Sequence, residues 1–356
     1  MKKIAVAVAA ALTAGSAMAA EVTLYGIIDT GLAYIHSDEG GQSSSSFSME
    51  SGVTAGSRFG LKGTEDLGNG WSVSFNLQNG FSNDDGKLAS DGVLFNREAI
   101  LSVHGPYGTL SAGRMGALTS GLGTYDIFQY GADVLDGGYI ASFTGYWAPR
   151  DRYNNTLTYV TPEANGFAGY LQYSNGTDTE TGSSRGQDRY AAVGMTYAVG
   201  NLNFVAVVDT VLKGNDENGE RDQDTKAVSV GANYNFGKVK AFAGFQYGKD
   251  ERSFGDYEFA KVDDAKVDGY TAHLGATWTV PCGALNTAVY YGQYDINNVK
   301  AKAEEADVLG VMVSHVRPFS KRTYLYTALG LKKTSFEGDR DDQEVITAAV
   351  GLNHTF

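Results

Sequence analysis

Ile346-Thr347-Ala348-Ala349-Val350-Gly351-Leu352-Asn353-His354-Thr355-Phe356 is the stretch that decides the fold of this chain. Ile346, Ala348, Val350, Leu352, His354 and Phe356 share one parity, and Thr347, Ala349, Gly351, Asn353 and Thr355 share the other. A period of two sends successive side chains to opposite faces of a strand, so this stretch has an apolar face and a small or polar one. The pattern recurs along the chain with polar turn signals between repeats. A soluble core would bury the apolar faces of a few strands under helices or a second sheet. Here nearly every segment is two-faced and almost nothing reads as helix, which is how a wall looks with lipid on one side and water on the other.

Working outward, Val22, Leu24, Ile28, Leu32 and Tyr34 oppose Thr23, Tyr25, Asp29 and Ala33. After a Gly/Ser-rich loop (Gly40 to Ser46), Phe59 and Leu61 alternate with Arg58 and Lys62, and Trp71, Val73, Phe75 and Leu77 with Ser72, Ser74, Asn76 and Gln78. Phe167 to Ser174, Leu202 to Val208, Val228 to Tyr234 and Tyr270 to Trp278 behave alike. Clean alternation in so many segments is hard to obtain by chance. Short connectors such as Gly105-Pro106-Tyr107-Gly108 alternate with long ones such as Gly248 to Asp268, as in an antiparallel transmembrane barrel. Trp71, Phe167, Tyr173, Phe236, Tyr247, Trp278 and Phe356 gather near strand ends, where interfacial girdles would lie.

The first residues read as an export signal, not as part of the fold. Lys2 and Lys3 give a basic start, Ile4 to Leu12 an apolar stretch, and Ala17-Met18-Ala19 a small-residue cleavage site. This divides the chain into a signal peptide at 1–19 and a single barrel domain at 20–356. The remaining ~337 residues, at roughly 20 per strand and its share of connectors, give about 16 strands. No later run of apolar residues is long enough for a helical span, so insertion would be by closed strands. A barrel that size encloses water rather than a packed interior.

The net charge of −13 argues against a nucleic-acid partner. Much of the acid sits in presumed loops: Asp84-Asp85, Asp216-Glu217, Asp250-Glu251, Asp263-Asp264, Glu304-Glu305 and the Asp339 to Asp342 run. These are solvated loop faces, or sites for divalent cations bridging to anionic lipid headgroups. The lone cysteine, Cys282, makes no internal disulfide. Gly182-Ser183-Ser184-Arg185-Gly186 matches a nucleophile-elbow spacing but lies in a polar connector, without the strand and helix such an elbow needs. His36, His104, His273, His315 and His354 have no metal-ligand spacing. No catalytic set, cofactor site or metal site is expected.

One long stretch breaks the rhythm. Met115 to Trp147, after a strand at Thr109 to Arg114, lacks alternation and is rich in glycine, with Asp126, Asp133 and Asp136. Its Leu118, Leu122, Ile127, Phe128, Leu135 and Ile140 suggest a loop packed against something, and the barrel's inner wall is the available surface. Structureless segments of this length are usually functional or disordered.

Several pieces carry a family resemblance: Val22-Thr23-Leu24-Tyr25-Gly26, Ser57-Arg58-Phe59-Gly60-Leu61-Lys62-Gly63 with Glu65-Asp66-Leu67-Gly68, and Phe95-Asn96-Arg97. Gly108-Thr109-Leu110, Gly113-Arg114, Gly123-Thr124-Tyr125-Asp126, Asn154-Asn155-Thr156 and Gly351-Leu352-Asn353-His354-Thr355-Phe356 add to them. Across 20–356 the chain resembles general diffusion porins of Gram-negative outer membranes, of the betaproteobacterial type. The resemblance implies a 16-stranded barrel, a homotrimer, a third loop folded into the pore, and Phe356 as a signal for the barrel-assembly machinery. It places Arg58, Arg97 and Arg152 on the wall of a constriction facing acids of the inward loop, with Asp126 the matching acid.

Opposed charges across a narrow aqueous pore orient polar solutes and set ion preference. The expected constriction set is Arg58, Lys62, Arg97, Arg152, Asp126, Asp133 and Asp136. Alternation alone puts Arg58 on the polar face with Lys62; around Arg97 the phasing is open, since Glu98, Ile100 and Ser102 share the other parity. Arg114 could instead anchor the loop, and all three arginines could merely pair with carboxylates such as Glu65 or Asp29. The expected function is passive diffusion of ions and small hydrophilic solutes, with mild anion preference, in a wall surrounded by outer-membrane lipid and lipopolysaccharide. The alternative is a substrate-specific channel guided by tyrosines such as Tyr170, Tyr290 and Tyr324. A barrel enzyme or an adhesin has no supporting residue set.

Overall fold

The structure, a computed structural model, describes residues 22–121, 123–128, 150–177, 186–215, 221–251, 253–254, 257–258, 266–297, 303–338 and 340–356. The export-signal reading at 1–19 lies outside the described residues, as do Asp133, Asp136 and the acidic pairs Asp216-Glu217 and Asp263-Asp264.

The first half of the wall is β1 (Thr23–Glu39), β2 (Gln42–Ser51), β3 (Arg58–Gly68), β4 (Trp71–Gly80), β5 (Glu98–Gly105), β6 (Gly108–Gly116), β7 (Arg152–Val160), β8 (Phe167–Ser174) and β9 (Arg189–Val199). Then come β10 (Leu202–Leu212), β11 (Thr225–Asn235), β12 (Val239–Glu251), β13 (Ser253–Phe254), β14 (Tyr257–Glu258), β15 (Lys266–Val280), β16 (Gly283–Asn297), β17 (Ala303–Pro318), β18 (Thr323–Gly338) and β19 (Gln343–Thr355). The two-residue strands β13 and β14 form a separate hairpin in one connector. β2 and β3 are two halves of one stave: β1 pairs with β2 from Thr30 to Glu39 and with β3 from Thr23 to Ile27. That leaves sixteen staves, each antiparallel to its neighbours. The ring closes where β1 pairs with β19, from Ile27 opposite Thr355 to Glu39 opposite Gln343. Closure removes the unpaired sheet edges that an open sheet of this length would expose.

The faces follow the alternation. On β19, Val345, Thr347, Ala349 and Asn353 are buried, while Ile346, Val350 and Leu352 are exposed. Leu24, Val208, Leu274 and Leu329 are each more than half exposed on the outer surface. A continuous apolar outer band of that kind is far beyond the patches a soluble monomer tolerates. The inner face carries Asp29, Ser229, Gln246, Thr271, His273 and Asn353, mixed with small residues and tyrosines. Trp71, Tyr107, Phe167, Phe236, Trp278, Phe319 and Phe356 ring the outer surface at the end with short turns, and Tyr34, Tyr173, Tyr247 and Tyr291 ring the other. Rings whose apolar body meets hydrocarbon and whose edge meets water concentrate at such boundaries.

Two boundaries differ from the sequence reading. The Gly/Ser-rich Gly40 to Ser46 is not a loop: the reversal occupies Gly40 and Gly41, and Gln42 onward is already β2. A ladder needs only backbone partners, and Ser45 adds side-chain bonds to Tyr34 Oη (3.2 Å) and His36 Nδ1 (2.9 Å) on β1. The real interruption is Gly52 to Ser57, six residues opposite only Ile28 and Asp29 of β1. Similarly, β6 runs on through Met115, which pairs with Tyr153, to Gly116, so the segment between β6 and β7 begins at Ala117, and its described residues resume at Arg150 and Asp151.

Candidate pore constriction

Parity carries the first functional side chain inward. In β3, Phe59 and Leu61 face out and Arg58, Gly60 and Lys62 face in. β4 sets Gly80 opposite Arg58 and Gln78 opposite Gly60, and β5 sets Glu98 opposite Gln78. Arg97, one residue before β5, is nearly buried, and its Nε donates to Gln78 Oε1 at 2.7 Å. Its side chain runs between two glycines. A Cβ at Gly80 would stand 3.2 Å from Arg97 Cδ, and one at Gly56 would stand 3.0 Å from Nη1.

Arg152 opens β7, with Nε and Nη2 buried and without a hydrogen-bond partner among the described residues. Arg97 has the cations Arg152 and Arg58 and the carboxylate of Glu98 within electrostatic reach, and Arg152 has Asp151, Glu98, Arg114 and Arg58. Glu98 itself is held by Asn76 Nδ2 (2.5 Å) and by the backbone N (2.6 Å) and Oγ1 (3.0 Å) of Thr124. The result is a wall on which three guanidinium groups share a space with Glu98 and Asp151, with the cations in excess.

Thr124 belongs to the irregular segment, whose described residues lie against the inner wall. Leu118 N donates to Gln172 Oε1 at 3.1 Å on β8, and Thr119 Oγ1 donates to Asp209 Oδ2 at 3.2 Å on β10. Leu118 and Ile127 pack over Gly194 of β9, where a Cβ would come within 3.0 Å of both side chains. Asp126 is half-buried between the buried Tyr125 and Ile127. At the segment's return end Arg150 is buried. Its Nη1 and Nη2 donate to Glu251 at 2.8 Å each, and its Nε pairs with Asp209 at 2.5 Å. Arg114 ties the base together, with Nε donating to Asn96 O (2.8 Å) and Nη1 to Asn154 Oδ1 (2.7 Å). Gly113, with φ of 138°, makes the bulge that releases β6 inward; a Cβ there would stand 1.9 Å from Ala99 O.

The break between β2 and β3 is also an inward feature. Thr54 N (3.3 Å), Ala55 N (3.2 Å) and Thr54 Oγ1 all donate to Asp29 Oδ2. Asp29 is fully buried on the inner face, where it also accepts from Tyr326 Oη (2.7 Å) on β18 and Asn353 Nδ2 (3.0 Å) on β19. Thr54 Oγ1 reaches Tyr324 Oη at 3.2 Å. The gap left in the outer wall is filled by Asn83, which bonds Thr30 Oγ1, Ser51 Oγ (3.0 Å) and Ser57 Oγ (3.3 Å). Between this break and the connector after β4 lies a recess lined by Ser51, Gly56, Gly80, Asp85, Lys87 and Arg97. In that connector the Lys87 ammonium, 2.7 Å from Asp85, holds that carboxyl below the usual carboxylate range through its hydrogen bond.

The structure brings Arg58, Arg97 and Arg152 together. It places Lys62 on the same face but about 13 Å further toward the short-turn end, at four residues of strand rise, with Nζ over the Tyr25 ring. Among the described residues Asp29 takes no arginine, and the donors to its carboxylate are neutral. Glu65 is exposed near a turn. Sequence reasoning missed the Asp29 and Thr54 pair, Glu98, and the Arg150, Asp209 and Glu251 group. The signal for Arg150 was present in Arg150-Asp151-Arg152, two arginines closing an irregular segment, but only a partner on a distant stave tells them apart. Tyr290 is buried against His273, ring centres 5.1 Å apart, and Tyr324 is bonded to Thr54.

A family model described as Gram-negative porin matches residues 5–337. An outer membrane porin protein of Bordetella pertussis is 31% identical over 98% of this chain and 98% of its own. Outer membrane porin protein 32 of Delftia acidovorans is 32% identical over 94% of this chain and 90% of its own. Among solved structures, an anion-selective porin from Comamonas acidovorans superposes with a TM-score of 0.71 at 24% identity, covering 95% of this chain and 100% of that one.

Proposed function

This chain belongs to the Gram-negative porin family, an outer-membrane β-barrel, and from that premise we propose a passive, mildly anion-preferring channel for ions and small hydrophilic solutes. The observation that carries the preference is the convergence of Arg58, Arg97 and Arg152 on one inner wall, with Arg97 bonded to a neutral amide. The field at the narrowest point decides which ion passes, even though the whole chain is acidic. The anion-selective Comamonas porin, similar in fold, supports the same sign.

In this reading the segment from Ala117 to Asp151 crosses the interior and narrows it opposite the arginines, with Asp126, Asp133 and Asp136 supplying the facing acid. The contacts of Leu118, Thr119 and Thr124 with the inner wall support that path. Residues 1–19 would be removed on export, Phe356 would be read by the barrel-assembly machinery, and three copies would assemble among outer-membrane lipid and lipopolysaccharide. The packing of Tyr290 and Tyr324 into the wall weighs against a tyrosine track for one substrate.

The test is conductance of the purified protein in a planar bilayer under a salt gradient. Steps in groups of three with a reversal potential of anion-preferring sign support the proposal. Cation preference would show the acidic loops to dominate, and silence from a folded, heat-modifiable preparation would overturn the diffusion reading.

A further inference from the structure

We propose that Gly52 to Ser57 is a second narrowing element of the pore, resting on the arginine-wall reading above, and that it positions the Arg97 guanidinium. Six residues stand where two would complete the ladder. The part from Val53 to Ala55 lies on the inner side of the wall, because the groups it meets face inward, while Ser57 turns back to Asn83. Asp29, Tyr324 and Gly31 (whose Cβ position lies 2.9 Å from Val53) all belong to the inner face. The bulge therefore covers β1 and reaches over β19 to β18, adding a layer of backbone to the lumen at the level of Arg58, the next residue.

The same bulge forms one side of the slot that holds Arg97. Gly80 bounds the aliphatic part, Gln78 takes Nε, and Gly56 abuts Nη1. Gly56 leaves just enough room for the guanidinium, since a Cβ there would stand 3.0 Å from Nη1. The buried carboxylate of Asp29 fixes the bulge with three donors from Thr54 and Ala55, while Tyr326 and Asn353 fix the carboxylate. Asp29 is thus committed to the bulge through neutral donors.

The experiment compares Gly56→Ala, Thr54→Val, Thr54→Ser and Arg97→Gln in planar bilayers, each first shown to be a heat-modifiable barrel. Gly56 has an ordinary backbone conformation, so alanine there folds and acts only by displacing Nη1. The expected result for Gly56→Ala is a reversal potential shifted toward zero. Thr54→Val loses the hydroxyl bonded to Asp29 and Tyr324, frees the bulge, and raises conductance while weakening anion preference; Thr54→Ser restores both readings. If Gly56→Ala and Thr54→Val conduct and select as the unaltered channel does, the proposal is overturned. Arg97→Gln then separates the two failures. A shift in that variant alone removes the bulge from the mechanism and keeps the cationic wall, whereas no shift in any variant removes both.

Discussion

Arg97 donates to Gln78 and has the cations Arg152 and Arg58 within electrostatic reach, so its removal acts on ion choice more than on folding. Arg97→Gln is expected to move the reversal potential toward zero with little change in unfolding temperature, measured on the same reconstituted preparation. Asp29 is the opposite case. Asp29→Ala would remove the acceptor of the half-buried Thr54 and Ala55 amides and of the buried Asn353 amide, and one partner of the Tyr326 hydroxyl. Each unsatisfied group costs about 1–3 kcal/mol, so the heat-modifiability transition should fall by many degrees. Arg58 was legible in the sequence because Phe59 and Leu61 fix its parity. Alternation left Arg97 open, and only the family resemblance named it, because the register restarts after the connector preceding β5. Asp29 could be placed on the inner face from alternation, but not recognised as a clamp, since its partners Tyr326 and Asn353 lie on the last two staves.

Among elements, the segment from Ala117 to Asp151 is held at its return end by Arg150. That side chain, Asp209 and Glu251 are all essentially excluded from solvent. Breaking such a buried group leaves uncompensated carboxylates at a cost of about 3–5 kcal/mol. Arg150→Met should therefore loosen the segment, and single-channel records should show more frequent closures and a noisier open level. Loss of periodicity marked this segment as special, yet gave no path for it, because packing on a wall of Gly194 and Asp209 leaves no local pattern. The same blindness affected the start of the barrel. A serine run looked like a loop and became β2, while Gly52-Val53-Thr54-Ala55-Gly56, a plausible turn, became an inward bulge. Ladder hydrogen bonds are indifferent to side chains, so a polar strand at the rim has no signature beyond its partner.

On the scale of the whole molecule, the outer surface behaves as a solvent boundary turned inside out. Leu274→Arg, on the lipid side of β15, should cost about 2–4 kcal/mol if it lies near the bilayer midplane. Lys62 is inward-facing and exposed, so Lys62→Gln should leave the denaturant midpoint nearly unchanged and shift ion preference instead; equilibrium unfolding of the reconstituted barrel separates the two. This scale was the most legible, because sixteen repetitions of one period average out local errors. The seam was the exception. Phe356 N donates to Gly26 O at 3.0 Å, and Gly26 N to Phe356 O at 3.1 Å, so the pairing of the first and last staves runs on past β19 to Phe356. Until the residues around Leu352 arrive, β1 offers an open hydrogen-bonding edge to any strand nearby. Sealing of the wall therefore waits for the stave that carries Leu352, and a polypeptide released before it pairs would meet its neighbours before it met itself.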